Sequence, residues 1–388
     1  MYKGKFIFTQ LCDFLPKRAF DCLVDKYEGN KYVKSFTCWN HLLVLIFGQL
    51  SNRESLRDLI TTLSAHKEKF HHLGFGKSVT RSNLSKANEI RSVEIFEDFS
   101  IRTIELARSK RANLSNFLID NKVYAFDSST ITFCIKTFWW SKAHNGKAGV
   151  KLHTLYDIKA QIPSFNIITD HLVSDCTIMD EIPYESGAFY VFDKAYVSTP
   201  QLYNIHLIGS FFVVRKKDNM RYKVCEDKNY NNPQTGIMAD QIIEFTSRVA
   251  KKGYPIKLRY VVFYSKEIMQ TLCFFSNNFD VSAEEIAQLY KHRWDIEVFF
   301  KWMKQHLRIK EFYGTSENSV KIQIHVAIIS YCLVAIVEKE LGLGLTPYEV
   351  LRVLSISLFE KMPLQELFKE RKHTISYQND TQLKLNFF

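Results

Sequence analysis

Residues 284–306 read EEIAQLYKHRWDIEVFFKWMKQH, and within them Tyr290, Arg293, Glu297 and Lys304 stand three, four and seven residues apart in succession. Those intervals are helical. At about 100° per residue, a single α-helix brings the four side chains within roughly a 60° sector of its surface. A phenol, a guanidinium, a carboxylate and an ammonium would then share one face. Roughly 40 to 80° further round lie Leu289, Ile296, Phe300 and Leu307, a stripe suited to burial against a core. Taken alone, the pattern also fits a solvated helix whose Arg293–Glu297 pair is worth a few tenths of a kcal/mol. What the rest of the chain supplies decides between the two.

The spacing Tyr-x2-Arg-x3-Glu-x6-Lys, with His292, Trp294 and Ile296 set around it, resembles the signature of bacterial insertion-sequence transposases of the DDE class, the insertion-sequence-four type. The resemblance implies that Glu297 is the third of three metal-binding carboxylates and that two aspartates stand upstream at strand ends. Two stretches fit. Tyr124-Ala125-Phe126-Asp127-Ser128-Ser129-Thr130 and Phe189-Tyr190-Val191-Phe192-Asp193-Lys194-Ala195-Tyr196 each deliver one acid at the end of an apolar run. An acid outside the carboxyl end of a strand faces a site and not a core. Asp-Ser-Ser-Thr and Asp-Lys-Ala-Tyr both resemble the first and second Asp motifs of the group. Asp157, Asp170, Asp175 and Asp180 compete with them; Asp170 and Asp175 read as capping or turn residues where a strand runs into a loop.

At 388 residues, 46% of them apolar, the chain has material for two or three domains and an ample core. A formal net charge of +11 points to a polyanionic partner. The eight cysteines are scattered singly, with no pair at zinc spacing, and read as reduced, mostly buried thiols of a cytoplasmic protein. The N-terminal MYKGKFIFTQLCDFL lacks the pattern of a signal peptide. The most apolar later run, Ile322 to Val337, is interrupted by Gln323 and His325 and reads as a buried helix rather than a membrane span.

Residues 1–115 read as an all-α domain, with three- and four-residue apolar spacing in Phe20 to Tyr27, Trp39 to Leu50, Ser55 to Leu63 and Val93 to Ala107. Asn52 or Ser55 can cap the third of these, and Gly74 and Gly76 break the chain before a short helix near Ser78 to Asn88. Arg81 and the hydroxyls at its start suit a DNA backbone, and a plain capped helix suits them equally. From Lys122 the texture changes to β-branched and aromatic alternation. Strands are expected at Lys122 to Phe126, Gly149 to Tyr156, Pro163 to Thr169, Ala188 to Phe192 and Ser210 to Val214, with a helix at Thr199 to Ile205 before the last. A meander followed by parallel strands is the order of an α/β, ribonuclease H-like mixed-sheet core. The expected division is therefore a helical domain (1–115), a first core part (116–215), a β-rich insertion (216–276), a second core part with the Glu297 helix (277–345), and C-terminal helices and a tail (346–388). The tail beyond Arg371 is polar and reads as extended or disordered.

The resemblance implies a DNA transposase that binds the terminal inverted repeats of its own element and cleaves and transfers strands on double-stranded DNA. Asp127, Asp193 and Glu297 would hold two Mg²⁺ ions, with Mn²⁺ as a possible substitute. Hard oxygen ligands suit such ions and need no Cys or His. Arg293 and Lys304 would hold phosphate, Tyr290 would donate to a phosphate oxygen, and Trp294 would stack on a nucleotide. The basic run Lys142, His144, Lys147, Lys151 and His153 reads as a DNA-facing groove. The strand-exchange route, through a hairpin or otherwise, stays open because the insertion carries Phe and Tyr but no Trp. Pairing two ends calls for a homodimer on DNA. The rival readings are another nuclease of the same core, a non-catalytic DNA-binding protein that kept the fold, and a membrane-surface protein.

Overall fold

The structure is a computed structural model that describes residues 4–76, 79–111, 119–134, 137–138, 140–141, 148–228, 230–306 and 312–368. The chain forms two compact units, one made of Met1–Lys110 with Met303–Phe388 and the other of Arg111–Trp302. The division expected from sequence ran through five consecutive segments. In the structure the chain from Met303 onward, including the end of the expected second core part, groups with the N-terminal helices, and the first core part, the insertion and the second core part as far as Trp302 form the other unit.

The first unit is helical: α1 (Ile7–Cys12), α2 (Lys17–Lys26), α3 (Cys38–Leu50), α4 (Leu56–Ser64), α5 (Phe70–Leu73), α6 (Arg81–Ile90) and the bulk of α7 (Glu94–Arg111). Caps set several of the starts. The Thr37 hydroxyl accepts from the Asn40 amide, Ser55 from Asp58 and Thr80 from Asn83, each contact satisfying an amide that has no partner within its own helix. Gly74 and Gly76 take φ of 79° and 80° between α5 and α6, a backbone that side chains strain to adopt. The run expected to be a buried helix lies within a 24-residue helix, Glu317–Glu340. This is the one helix among the described residues long and apolar enough to cross a membrane, and 94% of its most apolar window is buried. Its polar residues do not end it, because each finds a partner: Gln323 accepts from the Tyr313 amide at 2.8 Å, and His325 Nδ1 lies 3.3 Å from the Ser100 hydroxyl.

The second unit is built on one nine-stranded mixed sheet. Its strands are β1 (Val123–Phe133), β2 (Ala148–Asp157), β3 (Ile162–Asp170), β4 (Phe189–Phe192), β5 (Phe211–Arg215), β6 (Tyr222–Asp227), β7 (Ile237–Phe245), β8 (Leu258–Ser265) and β9 (Gln270–Ser276), in the order β3-β2-β1-β4-β5-β9-β8-β7-β6. The first three form an antiparallel meander, and β1, β4 and β5 pair in parallel. Between β3 and β4 comes the short α8 (Asp175–Ile178), between β4 and β5 the helix α9 (Thr199–Leu207), and between β7 and β8 α10 (Arg248–Gly253). The segment expected to interrupt the core as an insertion continues its sheet, since β9 pairs antiparallel with β5. One face is packed with aromatic rings. Tyr124 stacks on Tyr190 at 5.3 Å and Phe126 meets Tyr196 edge-on at 5.4 Å, all four fully or nearly fully buried. Burying such a side chain is worth about 1.5 to 3 kcal/mol.

Two expectations about the site's supports need correction. The helix expected over residues 284–306 is two helices, α11 (Ala283–Lys291) and α12 (Trp294–His306). At the junction the Arg293 amide bonds the Tyr290 carbonyl and the Asp295 amide bonds the His292 carbonyl, three residues back in each case, so the α-helical ladder is broken without a proline. The first strand was expected to stop at Phe126 and instead runs on to Phe133, because β2 supplies ladder partners as far as Phe133↔Ala148. The thiols also differ from expectation: Cys12, Cys38 and Cys332 are buried, but Cys22, Cys134 and Cys225 are exposed. The C-terminal tail, Leu307, Lys142, His144 and Lys147 lie outside the described residues.

Candidate active site

The parallel register places the first two acids. Ala125 pairs with Val191, and two residues further along each strand stand Asp127 and Asp193. Asp193 directly follows the last residue of β4, and Asp127 lies just past the end of the β1–β4 pairing. Neighbouring positions in parallel register share a sheet face, so both acids leave the sheet on one side, level with the carboxyl end of β4. The third acid arrives on a helix. Ile296 and Phe300 of α12 are buried, which turns Glu297 away from the core; its side chain is 33% exposed.

The break between α11 and α12 sets the rest. At the end of α11, the Tyr290 hydroxyl donates to Asp193 Oδ1 at 3.1 Å. At the break, Arg293 Nη2 donates to Glu297 Oε1 at 2.6 Å, and its Nη1 stands 3.6 Å from Asp127 Oδ2. One guanidinium therefore reaches two of the acids and its neighbouring phenol the third. Arg293 also lies over the Tyr290 ring, 5.7 Å from its centre.

Electrostatics follow from this packing. Burial lifts the Asp127 carboxyl above the ordinary aspartate range and Glu297 adds to the lift, while the Ser128 amide, Arg293 and the Tyr196 hydroxyl oppose it. The Tyr290 phenol is pushed up to about 12, chiefly by burial, with Asp193 adding. For Arg293, burial works against the charge, and the Tyr290, Glu297 and Asp127 oxygens more than offset it, so the guanidinium is held above its usual value.

Among the described residues no three acid, His or Cys side chains converge at ligating distance. The chemistry of the donors nonetheless fits a hard divalent cation, since the acids offer only oxygen. Cation chemistry is what this pocket already satisfies, with Arg293 as the positive charge between Asp127 and Glu297.

The remaining candidates separate. Trp294 is 60% exposed beside Arg293. Arg81, exposed at the start of α6, and Lys304, partly buried on α12, belong to the other unit. Lys151 is not available to a DNA groove: its side chain is 13% exposed and its ammonium is held by the Val173 carbonyl at 2.8 Å and by Asp175 at 3.0 Å. His153 is fully buried, and burial lowers its pKa to about 4, so it is neutral.

Asp175 and Tyr196 do more than their sequence suggested. Asp175 was expected to be a cap or turn residue; it is the first residue of α8, and its Oδ1 accepts from the Ser128 hydroxyl at 2.8 Å, next to Asp127. The buried Tyr196 hydroxyl donates to Asp127 Oδ1 at 3.2 Å. An apolar-flanked tyrosine three residues after Asp193 was the available signal.

Residues 119–333 match the transposase DDE domain, and residues 3–76 match a domain of unknown function, DUF4372. The protein named as transposase y4zB of Sinorhizobium fredii is 35% identical over 257 residues, covering 65% of this chain and 70% of the relative. That named as transposase for insertion sequence element IS4SA of Synechocystis is 25% identical over 305 residues, 76% of this chain and 82% of the relative. A solved piggyBac transposase synaptic complex with hairpin DNA aligns over 95% of this chain and 82% of its own, with a TM-score of 0.46 at 11% identity. With more than half of its length matched by that catalytic domain, the chain belongs to the DDE transposases of bacterial insertion sequences.

Proposed function

We propose that Asp127, Asp193 and Glu297 are the catalytic acids and that they hold two Mg²⁺ ions during cleavage and transfer of DNA at the ends of this chain's own element. Membership of the DDE family implies dependence on a divalent metal; the identity and number of the ions are part of the proposal. The observation that carries it is the meeting of three acids from separate stretches on one phenol–guanidinium pair.

When bound, the ions supply charge neutralisation for the attacking and leaving oxygens of an in-line displacement. This chain's residues do the rest. The three carboxylates fix where those oxygens lie. Arg293 holds the acids together in the metal-free protein and grips a backbone phosphate once the acids are otherwise engaged, its planar fork matching two phosphate oxygens. Tyr290 passes in the same way from Asp193 to a phosphate oxygen. Trp294 offers an exposed ring beside the cut for base stacking. In cleavage a water oxygen attacks phosphorus and the 3′-oxygen leaves; in transfer that 3′-hydroxyl attacks a target phosphodiester and a target 3′-oxygen leaves.

The order β3-β2-β1-β4-β5, a meander followed by parallel strands, supports a ribonuclease H-like core. The helical N-terminal region, residues 1–115, recognises the terminal inverted repeats, with Arg81 at the exposed start of α6 on the backbone. Lys304, Lys142 and Lys147 are further DNA contacts on sequence grounds. A homodimer holds the two ends. Purified protein with Mg²⁺ and the DNA flanking its own coding region tests the reading. Wild type should nick at the element boundary and Glu297→Gln should not; cleavage by the variant at the wild-type rate would remove Glu297 from the catalytic set.

A further inference from the structure

Arg215 is the last residue of β5 and has a strand on either side. On one side Phe192 pairs with Val214, so the next position along sets Arg215 beside Asp193. On the other side Arg215 pairs directly with Phe274 of β9. Side chains at paired positions leave a sheet on the same face.

Tyr290 shows which face this is. Its hydroxyl bonds Asp193 at 3.1 Å, and its ring packs on that of Phe274 with centres 4.6 Å apart. The phenol thus touches both of the positions that flank Arg215, which brings the arginine to the same carboxyl end of the sheet as the acids.

Arg215 is half-buried, and its guanidinium makes no hydrogen bond or ion pair with any of the described residues. The next two cations on the chain are engaged: Lys216 lies over the Tyr222 ring, and Lys217 bonds the Val197 carbonyl at 3.0 Å. A half-buried guanidinium whose donors meet no acceptor among the described residues is open to an anionic partner. A phosphodiester would satisfy it, because the guanidinium fork matches two phosphate oxygens.

We infer that Arg215 is a DNA-binding residue of the active site, gripping a backbone phosphate of the strand that lies along the Asp193 side. Tyr290 separates two phosphate-binding positions, Arg293 over Asp127 and Glu297 and Arg215 beside Asp193. The strand is thereby held on both sides of the cut. This rests on the reading of Asp127, Asp193 and Glu297 as the catalytic acids.

The test uses the full chain and duplex DNA flanking its own coding region, with binding followed by fluorescence anisotropy over a range of salt concentrations. Arg215→Gln should weaken binding by about tenfold or more and flatten the slope of log affinity against log salt by about one unit. Mn²⁺ binding to the DNA-free protein, read by electron paramagnetic resonance, and the melting temperature should stay at wild-type values. Arg215→Lys should keep the wild-type slope and lose affinity by several-fold, as a point charge replaces a fork. A wild-type slope and affinity in Arg215→Gln would overturn the inference, as would loss of Mn²⁺ binding or folding in both variants. Asp193→Asn run alongside separates this from the parent reading. If it cleaves like wild type the catalytic assignment fails, whereas if it is inactive and Arg215→Gln binds normally only the role of Arg215 fails.

Discussion

Replacing Arg293 with glutamine takes away the guanidinium that reaches both Asp127 and Glu297. Two unit charges about 4 Å apart at an effective dielectric of about 20 attract by about 4 kcal/mol. Glu297 is 33% exposed and Asp127 22%, so solvent screening reduces the net loss to roughly 2 kcal/mol. In a unit the size of Arg111–Trp302 that corresponds to a melting temperature lower by roughly 4 to 8 °C. In the wild type a metal ion must displace Arg293 from the acids, while in Arg293→Gln the acids meet no such competitor and repel one another until neutralised. Thermal melts in EDTA and in saturating Mg²⁺ should therefore show a larger Mg²⁺-dependent rise for the variant than for wild type. Equal rises, or an EDTA melt unchanged by the substitution, would refute the view of Arg293 as an internal counter-ion.

Other expectations follow from buried groups elsewhere. Burial lowers the pKa of His41 to about 3 and of His325 to about 4. The unfolded chain thus takes up protons first, near pH 6.5, and stability is lost as the pH falls from there toward the folded values. At about pH 5 each histidine should remove about 2 kcal/mol relative to pH 8, and His325→Gln should shrink the acid-induced drop in melting temperature; an undiminished drop would contradict this. Tyr196→Phe keeps the ring but deletes the donor to Asp127, and should weaken Mn²⁺ binding several-fold in a titration while leaving the fold intact. Arg259 and Asp240, 2% and 6% exposed, form a two-pronged pair with both contacts at 2.8 Å. Arg259→Met should cost about 3 to 5 kcal/mol in urea unfolding, and adding Asp240→Leu should recover much of it.

The residues that lay in local patterns were readable from the sequence. The apolar runs before Asp127 and Asp193 announce the strands that deliver them, and α3, α4 and α9 start within a residue of where spacing and caps put them. What stayed hidden was non-local. The strand was expected to stop at Phe126, before Asp-Ser-Ser-Thr, and pairing with β2 keeps the chain extended through Phe133. Strand β6, exposed along nearly its whole length, lacks the alternation that marks a half-buried strand, and its membership of the sheet depends on β9 finding β5. Lys151 looked like surface because its partner, Asp175, is brought to it by the fold of the chain after β3. The break at His292 and Arg293 carries no Gly or Pro to signal it, yet it is what lets Tyr290 and Arg293 address different acids.

Anomalous scattering from crystals grown with Mn²⁺ and a DNA end tests the central claim most directly. Two manganese peaks about 3.5 to 4 Å apart, contacted between them by Asp127, Asp193 and Glu297, are the predicted result. Manganese bound away from these acids, with Arg293 still on Glu297 and Tyr290 still on Asp193, would contradict it.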